Sequence, residues 1–315
     1  MIPFMKLKWI SLIVSTIILL GSAFYIFSQK KGFREGIDFS GGIKLEVELN
    51  EKVTLDGLRK SFKNLKIDAT ILAAGKGVDN IAKIEIGSQD GSILESKAEK
   101  DEKFLKIGKY SANTIDYLNY LLSENIYNDN VHRVNFISAS HVGPTVGDYL
   151  QKSAIKLSLV IVLFITIYIT IRFKIDFAIA SMVCLFHTLF ISMAFIGVFQ
   201  VPLSIPVIAA ILTILGHSIM DTVVIFDRIR ENLKKTGTNI AFEKQVDISI
   251  NETLTRSFNT TMTILVSILA IYLIADETLQ DMASVLLFGI SASTYSSNMI
   301  AAPVLVIWNQ FRKES

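Results

Sequence analysis

Long runs of apolar residues recur six times along the chain, separated by polar or charged segments. Each run approaches the roughly 20 residues that an α-helix needs to cross about 30 Å of hydrocarbon, the fifth run being the shortest. The pattern therefore predicts six membrane-spanning helices. The predicted spans are Trp9–Phe27, Ser153–Ile171, Phe177–Val198, Leu203–Phe226, Thr260–Ala275 and Met282–Trp308. The first run is too long for the apolar part of a cleaved signal sequence and lacks a clear cleavage site, so we expect an uncleaved anchor.

A different pattern fills the segment between the first two runs. Residues 42–49 alternate between apolar and charged side chains, as in a half-buried strand, whereas the polar run 88–109 predicts a long loop or insertion. The predicted order is strand, helix, strand, strand, helix, strand, which is that of a ferredoxin-like α+β sandwich. The predicted elements are strands Gly42–Leu49, Ile67–Leu72, Ile81–Ile86 and Val131–Ile137, a hairpin turn at Gly75 and Gly77, and helices capped by Thr54 and Ser111.

Composition agrees with a membrane protein and narrows the classes of function. Of the 315 residues, 51% are apolar, and the formal net charge of +2 gives no reason to expect a nucleic-acid partner. The single cysteine, Cys184, excludes an internal disulfide and a multi-cysteine metal site. No nucleophile constellation or nucleotide motif is recognisable, and neither His187 nor His217 has metal-ligand spacing to a partner. We therefore expect no enzyme activity, no metal and no cofactor, the energy coming from an ion gradient or a partner.

Basic residues are distributed unevenly over the segments that join the spans. Lysine and arginine occur before the first span, after the second, after the fourth and after the sixth, whereas the loops 199–202 and 276–281 contain neither. Because basic loops stay on the cytoplasmic side, both termini are predicted to be cytoplasmic. The predicted domains are a tail and first span at 1–27, an outer domain at 28–152, five further spans at 153–311 with a cytoplasmic loop at 227–257, and a tail at 312–315.

Asp221 lies inside the fourth apolar run, IPVIAAILTILGHSIMDTVVIF. A carboxylate in a spanning helix costs at least a few kcal/mol to insert, so it needs a partner, a water-filled cavity or a proton. Asp221 is therefore the candidate proton-coupling residue. His217 precedes it by four residues on the same helix face, where an imidazole could relay protons or could contribute only packing and a hydrogen bond. His187, in the third span, is expected to be a packing residue.

Charged residues are concentrated where the fourth run ends. Asp227, Arg228, Arg230 and Glu231 follow it directly, and Asp227 and Arg230 have the spacing to pair on one helix face. We interpret this cytoplasmic charge cluster as an anchor that orders the next segment. That segment is predicted to hold a short amphipathic helix at the membrane surface, with Val246, Ile250 and Leu254 at four-residue spacing.

Two short glycine motifs flank the outer domain. In the motif GIDFSGG, Asp38 can cap or anchor a turn, and Gly41 and Gly42 permit backbone angles that other residues resist. Gly143 and Pro144 lie just before the second span. Both motifs are expected to be structural corners or stiff hinges between a span and the domain.

These motifs, with the run Asn251–Thr261 and the small-residue-rich run Gly289–Pro303, resemble the SecF family in their order and over essentially the whole chain. SecF is the smaller half of the SecD–SecF membrane complex. The resemblance implies an accessory subunit of Sec protein export in the cytoplasmic membrane of a bacterium or archaeon. Such subunits act with SecD beside the SecYEG channel and use the proton-motive force to help pull translocating, unfolded polypeptide across the lipid bilayer. The resemblance also implies an all-α bundle of six spans, related to half of an RND transporter.

The resemblance assigns roles to two residues. Asp221 matches the functionally important membrane aspartate of the family, and Arg256 matches its important basic residue. We hypothesise that the two pair in one state and separate in another. His217 stands where the family usually has tyrosine, so its role as a proton relay is open.

Two other classes of function remain open at this point. The chain could be half of an RND-type small-molecule transporter, although one compact outer domain gives little sign of a drug-binding cleft. It could also be a scaffold that only steadies the channel, for which Asp221 would not need to titrate. The sequence leaves both protons and sodium ions open as the coupling ion.

Overall fold

The computed structural model describes residues 2–28, 32–73, 80–101, 114–127, 134–236, 240–275 and 277–314. The chain forms two compact units, one of Met1–Arg34 with Ala154–Ser315 and one of Glu35–Ser153. Its helices and strands are α1 (Lys8–Ser28), α2 (Ile37–Ser40), β1 (Gly42–Glu48), α3 (Leu55–Leu65), β2 (Ala69–Ala73), β3 (Ile81–Gly87), α4 (Ser88–Ala98), α5 (Thr114–Tyr127), β4 (Phe136–Val142), α6 (Pro144–Arg172), α7 (Ile175–Phe199), α8 (Ile205–Thr236), α9 (Phe242–Ile274), α10 (Glu277–Ser296) and α11 (Ala302–Glu314).

The unit Glu35–Ser153 is built on a four-stranded sheet in the order β2-β3-β1-β4, with every neighbouring pair antiparallel. The alternation seen in β1 places Ile43, Leu45 and Val47 in the apolar core. The Thr54 hydroxyl accepts a hydrogen bond from the Gly57 backbone N–H at 3.1 Å and so caps α3. The predicted first strand and first helix of this unit are therefore confirmed.

Two predictions for this unit are wrong in part. The run predicted as a loop from Ser88 begins with α4, because Leu94 and Ala98 give this polar segment one buried face. The last strand runs to Val142 and overlaps the predicted strand 131–137 only at its end, since most of β4 is exposed and shows no apolar alternation. The predicted cap Ser111 and the turn at Gly75 and Gly77 lie outside the described residues.

The other unit is a helical bundle. Six helices among the described residues are long and apolar enough to cross a membrane, so the chain is a multi-pass membrane protein, as predicted. The fourth and sixth of these are the most buried inside the unit, whereas the first and second expose most of their apolar side chains. The interior of the bundle is therefore organised around α8 and α10.

The segment predicted as a loop between the fourth and fifth spans is largely helical. The helix α8 continues to Thr236, and α9 begins at Phe242 and runs without a break into the membrane span. The predicted amphipathic stretch is thus the first part of α9 rather than a separate helix. Its buried side chains Val246 and Ile250 belong to one apolar cluster with Phe4 and Met5, which lie in a 3₁₀ turn before α1.

The sixth span is interrupted by a π-helical turn at Ser297–Ala301, between α10 and α11. Pro303 explains part of this irregularity, because proline has no N–H for the carbonyl four residues earlier, which is that of Met299. That carbonyl accepts a hydrogen bond from the Ser11 hydroxyl of α1 at 2.9 Å. The sequence predicted an uninterrupted span here.

Candidate functional site

Asp221 is buried in the middle of the helical bundle, with 3% of its surface exposed. Its Oδ2 atom lies 3.6 Å from Nε2 of His217, one helical turn earlier on α8. The Thr294 hydroxyl of α10 donates a long hydrogen bond of 3.4 Å to the same oxygen. The carboxylate therefore faces an imidazole and a hydroxyl in the interior of the bundle. Because burying a carboxylate is costly, polar neighbours of this kind are expected beside it.

A hydroxyl link connects this carboxylate to a second helix. Thr294 Oγ1 lies 2.8 Å from Thr261 Oγ1 of α9, so the two side chains share one hydrogen bond. The carbonyl of Ile290, in the same helix as Thr294, is a second acceptor at 3.2 Å for the single hydroxyl hydrogen of Thr294, so it competes with Asp221 for that donor. Neither threonine is singled out by the sequence; the only available signal is the density of serine and threonine in the sixth span.

Arg256 and Asp221 line one small cavity of about 60 Å³, together with Thr260 and Ser257. The two side chains form no direct ion pair, and Arg256 is exposed. The predicted pairing is therefore not made in this structure, although both residues line the same cavity. A cavity of this volume has room for at least one water molecule.

Arg256 also lines a second, open cavity of about 410 Å³ at the end of α8. This cavity is bordered by Asp227, Arg228 and Glu231, and Val224 lines both cavities. Arg256 thus lies between the buried carboxylate and a polar cavity that opens to the surface.

The two histidines of the bundle occupy different surroundings. Nε2 of His217 is buried and makes no hydrogen bond within the described part of the chain, because 3.6 Å to Asp221 is too long for one. Nδ1 of His187 is hydrogen-bonded to the Ser296 hydroxyl at 2.8 Å. The structure therefore brings His217, but not His187, to the candidate site.

The charge cluster at the end of α8 is a set of ion pairs. Asp227 lies 3.5 Å from Arg230, at the spacing that the sequence indicates, and 3.0 Å from Arg172 at the end of α6. Arg228 pairs with Glu231 at 2.6 Å and with Glu252 of α9 at 2.7 Å. The cluster therefore ties the end of α6 to the C-terminal part of α8, and that part of α8 to the N-terminal part of α9.

The two glycine motifs occupy tight backbone positions. Gly41 and Gly42 have positive φ angles of 71° and 132°, and Asp38 lies in the helical turn α2 just before them. The Gly143 carbonyl accepts hydrogen bonds from two amides in the first turn of α6, and Pro144 is the first residue of that helix, a position that suits proline. Both motifs have a clear structural role.

A crevice of about 730 Å³ between α1 and α7 lies away from Asp221 and carries no titratable group. It is lined by apolar side chains, among them Leu19, Phe27, Phe190 and Met193. An apolar crevice without a titratable group offers nothing for ion coupling.

Comparison with known proteins identifies the family. A family model described as "Protein export membrane protein SecD/SecF, C-terminal" matches residues 123–311. The protein translocase subunit SecF of Sebaldella termitidis is 33% identical over 98% of this chain and 92% of its own length. The SecF of Thermodesulfovibrio yellowstonii is 33% identical over 97% of this chain and 94% of its own.

The crystal structure of SecDF, a translocon-associated membrane protein from Thermus thermophilus, aligns with 98% of this chain at a TM-score of 0.76 and 26% identity. This chain covers 38% of that SecDF chain, little more than a third. The fold and the site define a multi-pass membrane protein with a carboxylate inside its helical bundle. The chain belongs to the SecF family, within the SecD/SecF group of protein export membrane proteins.

Proposed function

We propose that this chain is the SecF subunit of a Sec-type protein-export complex. It works with a SecD partner beside a SecYEG channel and uses the proton-motive force to promote the movement of unfolded polypeptide. The family relationship supports the export role, and the coverage of about a third of a SecDF chain is in keeping with a subunit that needs a SecD half. No nucleic acid takes part.

The observation that carries the proton-coupled role is the environment of Asp221. A buried carboxylate that lies against an imidazole and a threonine hydroxyl has groups that favour its charged form, while its burial favours the protonated form. A change of geometry of an ångström or two shifts this balance. Asp221 can therefore bind a proton in one state of the bundle and release it in another.

In this proposal, the position of the Arg256 guanidinium distinguishes the state in which Asp221 is ionised from the state in which it is protonated. When its guanidinium moves into the small cavity that it shares with Asp221, the two groups pair and the carboxylate loses its proton. When Arg256 swings back toward the open cavity at the end of α8, the carboxylate is protonated again. Protons reach or leave the site through these two cavities.

His217 is the nearest titratable neighbour of Asp221, and its unbonded Nε2 suits a role in passing a proton to the carboxylate. The tyrosine that the family usually has at this position also carries a hydrogen-bonding group. His217 thus keeps a polar, hydrogen-bonding group beside Asp221.

The membrane orientation is part of the proposal. Both termini face the cytoplasm, and the sheet-containing unit, a ferredoxin-like domain, lies on the outer side of the cytoplasmic membrane. Support comes from the basic loops and from the strand order β2-β3-β1-β4 with antiparallel neighbours. The outer unit is then available to emerging polypeptide.

Export of a reporter preprotein in cells that carry Asp221→Asn tests the proposal. Asparagine keeps the size of the side chain and cannot ionise, so export is expected to fall to the level of cells without this chain. Asp221→Glu, which keeps a titratable group, is expected to retain part of the activity. Asp148→Asn is the matched control, because Asp148 is an exposed carboxylate on a spanning helix, paired with Lys152.

Protein levels and copurification with SecD are measured in each strain. Normal export by Asp221→Asn in an assembled complex would refute proton coupling through this residue and favour the scaffold role. Normal export together with greater sensitivity of the cells to small toxic compounds would favour the RND-type transporter.

A further inference from the structure

Two arginines share a single carboxylate where the end of α6 meets the C-terminal part of α8. Arg172 Nη2 lies 3.0 Å from Asp227 Oδ2, and Arg230 Nη1 lies 3.5 Å from Asp227 Oδ1. Lys174 follows in the turn before α7 and is exposed. We call these four residues the arginine cluster. Three cations and one anion leave it with a net charge of +2.

The two guanidinium groups of the cluster have N–H donors that their contacts with Asp227 do not use. Each guanidinium has five N–H donors, and neither arginine has a second carboxylate partner within the described part of the chain. Nearby acidic side chains are engaged elsewhere, since Glu231 and Glu252 pair with Arg228, and Asp176, which is buried, accepts a hydrogen bond from the Trp308 indole N–H at 3.1 Å. The side chains of Arg172 and Arg230 are 44% and 31% exposed, so their remaining donors are accessible.

An aromatic ring lies beside the two guanidinium groups. The Cζ atoms of Arg172 and Arg230 lie 5.3 Å and 5.8 Å from the centre of the Phe173 ring, within the range of cation–π attraction. Phe173 is itself buried and packs edge-on against Phe226. Cation–π attraction to this buried ring therefore favours positions of the two guanidinium groups close to each other, against their mutual repulsion.

Exposed apolar side chains surround the cluster on α6 and α7. Ile171 is 81% exposed and Ile175 is 60% exposed, and Tyr168 lies one turn further into α6. A spanning helix that exposes such residues meets hydrocarbon, and tyrosine is typical of the level of the lipid headgroups. Such surroundings are typical of the boundary between the acyl chains and the headgroups.

We propose that the arginine cluster binds the phosphate of an anionic phospholipid in the leaflet that faces the cytoplasm. The two guanidinium groups donate to the phosphate oxygens, Lys174 adds charge, and the acyl chains lie along Ile171 and Ile175. Basic pockets between spanning helices on the cytoplasmic side suit anionic headgroups. The bound lipid stabilises the joint between α6 and α8, next to the cavity that Arg256 lines.

Native mass spectrometry of the full-length chain, purified in detergent and titrated with phosphatidylglycerol, tests this site. Arg172→Gln with Arg230→Gln is expected to weaken the tightest binding event by on the order of tenfold or more, since each basic residue near a membrane surface contributes several-fold. Lys234→Gln with Lys235→Gln is the matched control, which removes the same charge from the exposed end of α8 and is expected to change binding less than about twofold.

Three further results would overturn the proposal. Equal binding of phosphatidylcholine with the same acyl chains would show that the headgroup charge is not recognised. Displacement of the lipid by millimolar inorganic phosphate would identify a site for a soluble anion. Unchanged lipid binding by the double glutamine variant, with loss of SecD copurification, would assign the cluster to a protein interface. Circular dichroism and gel filtration confirm that each variant is folded.

Discussion

Gly42 occupies a backbone position that a side chain cannot share. Its φ angle is 132°, which disfavours residues with a Cβ atom. A Cβ atom placed there would lie 2.3 Å from the carbonyl oxygen of Ile86 on the paired strand β3. Since the clash is with backbone, the strands would have to separate to relieve it. The glycine motif is therefore a structural requirement of the sheet at the start of β1.

Replacement of Gly42 by alanine tests this requirement. We expect Gly42→Ala to destabilise the sheet-containing unit by at least about 2 kcal/mol, which lowers its apparent melting temperature by several degrees. Thermal unfolding of the purified full chain, followed by limited proteolysis, measures the effect. Gly91→Ala is the control, because its Cβ atom would meet only ordinary contacts at 3.7 Å and 3.8 Å. Equal melting of both variants would contradict the interpretation.

The residues of the candidate site differ in how well the sequence predicts them. Asp221 stands out because a carboxylate inside an apolar run is costly and therefore rare. Thr294 and Thr261 do not stand out in the sequence. Hydroxyl side chains in spanning helices ordinarily bond the carbonyl one turn earlier, and the Thr294 hydroxyl lies within hydrogen-bond distance of such a carbonyl, that of Ile290. Which hydroxyl faces Asp221 depends on how α9 and α10 are rotated in the bundle. The sequence pattern alone does not specify that rotation.

At the scale of elements, hydrogen bonds join α1 to the sixth span at and beside its π-helical turn. Ser11 donates to the Met299 carbonyl, and the Tyr295 hydroxyl lies 3.3 Å from the Ser11 carbonyl and 3.2 Å from the Ser15 hydroxyl. The bond from Ser11 gives a partner to the carbonyl for which Pro303 has no N–H, and the Tyr295 contacts add further links between the two helices. The irregular turn is therefore held by the neighbouring helix, and π-helical turns are often found at functional sites.

A double-mutant cycle tests this connection. Ser11→Ala alone is expected to destabilise the bundle by about 1 kcal/mol, because the Met299 carbonyl loses its partner in a nonpolar environment. In a Pro303→Ala background the carbonyl regains an N–H in its own helix, so Ser11→Ala should cost much less there. Unfolding in mixed micelles with increasing denaturing detergent measures all four proteins. Simple additivity would show that Pro303 does not create the need for Ser11.

The accuracy of the sequence prediction also varies among the elements. Strand β1 is predicted well because one of its faces is buried and the other is solvated, which produces a clean alternation. Strand β4 is mostly exposed on both faces, so its sequence has no such alternation. The ends of α8 and α9 are missed for another reason: a helix that leaves the membrane stays helical, while its apolar signal stops at the first charged residue.

At the scale of the whole molecule, the spanning bundle has one end rich in ion pairs. Lys8 of α1 and Gln310 of α11 both bind Glu243 at the start of α9, at 2.8 Å and 2.7 Å. Both ends of the chain therefore lie at the same end of the bundle. The arginine cluster lies there too, since Phe173 is in one apolar cluster with Phe4. This arrangement supports a common cytoplasmic side for both termini.

The orientation can be tested with single cysteines, because the only native thiol, Cys184, is fully buried. In a Cys184→Ser background, Ser96→Cys places a thiol on the exposed surface of the sheet-containing unit, and Lys235→Cys places one at the exposed end of α8. A membrane-impermeant maleimide added to intact spheroplasts is expected to label the first variant, and to label the second only after the membrane is opened. The reverse pattern would place the sheet-containing unit in the cytoplasm, where it could not meet polypeptide emerging from the channel, and the export mechanism proposed for this chain would fail with it.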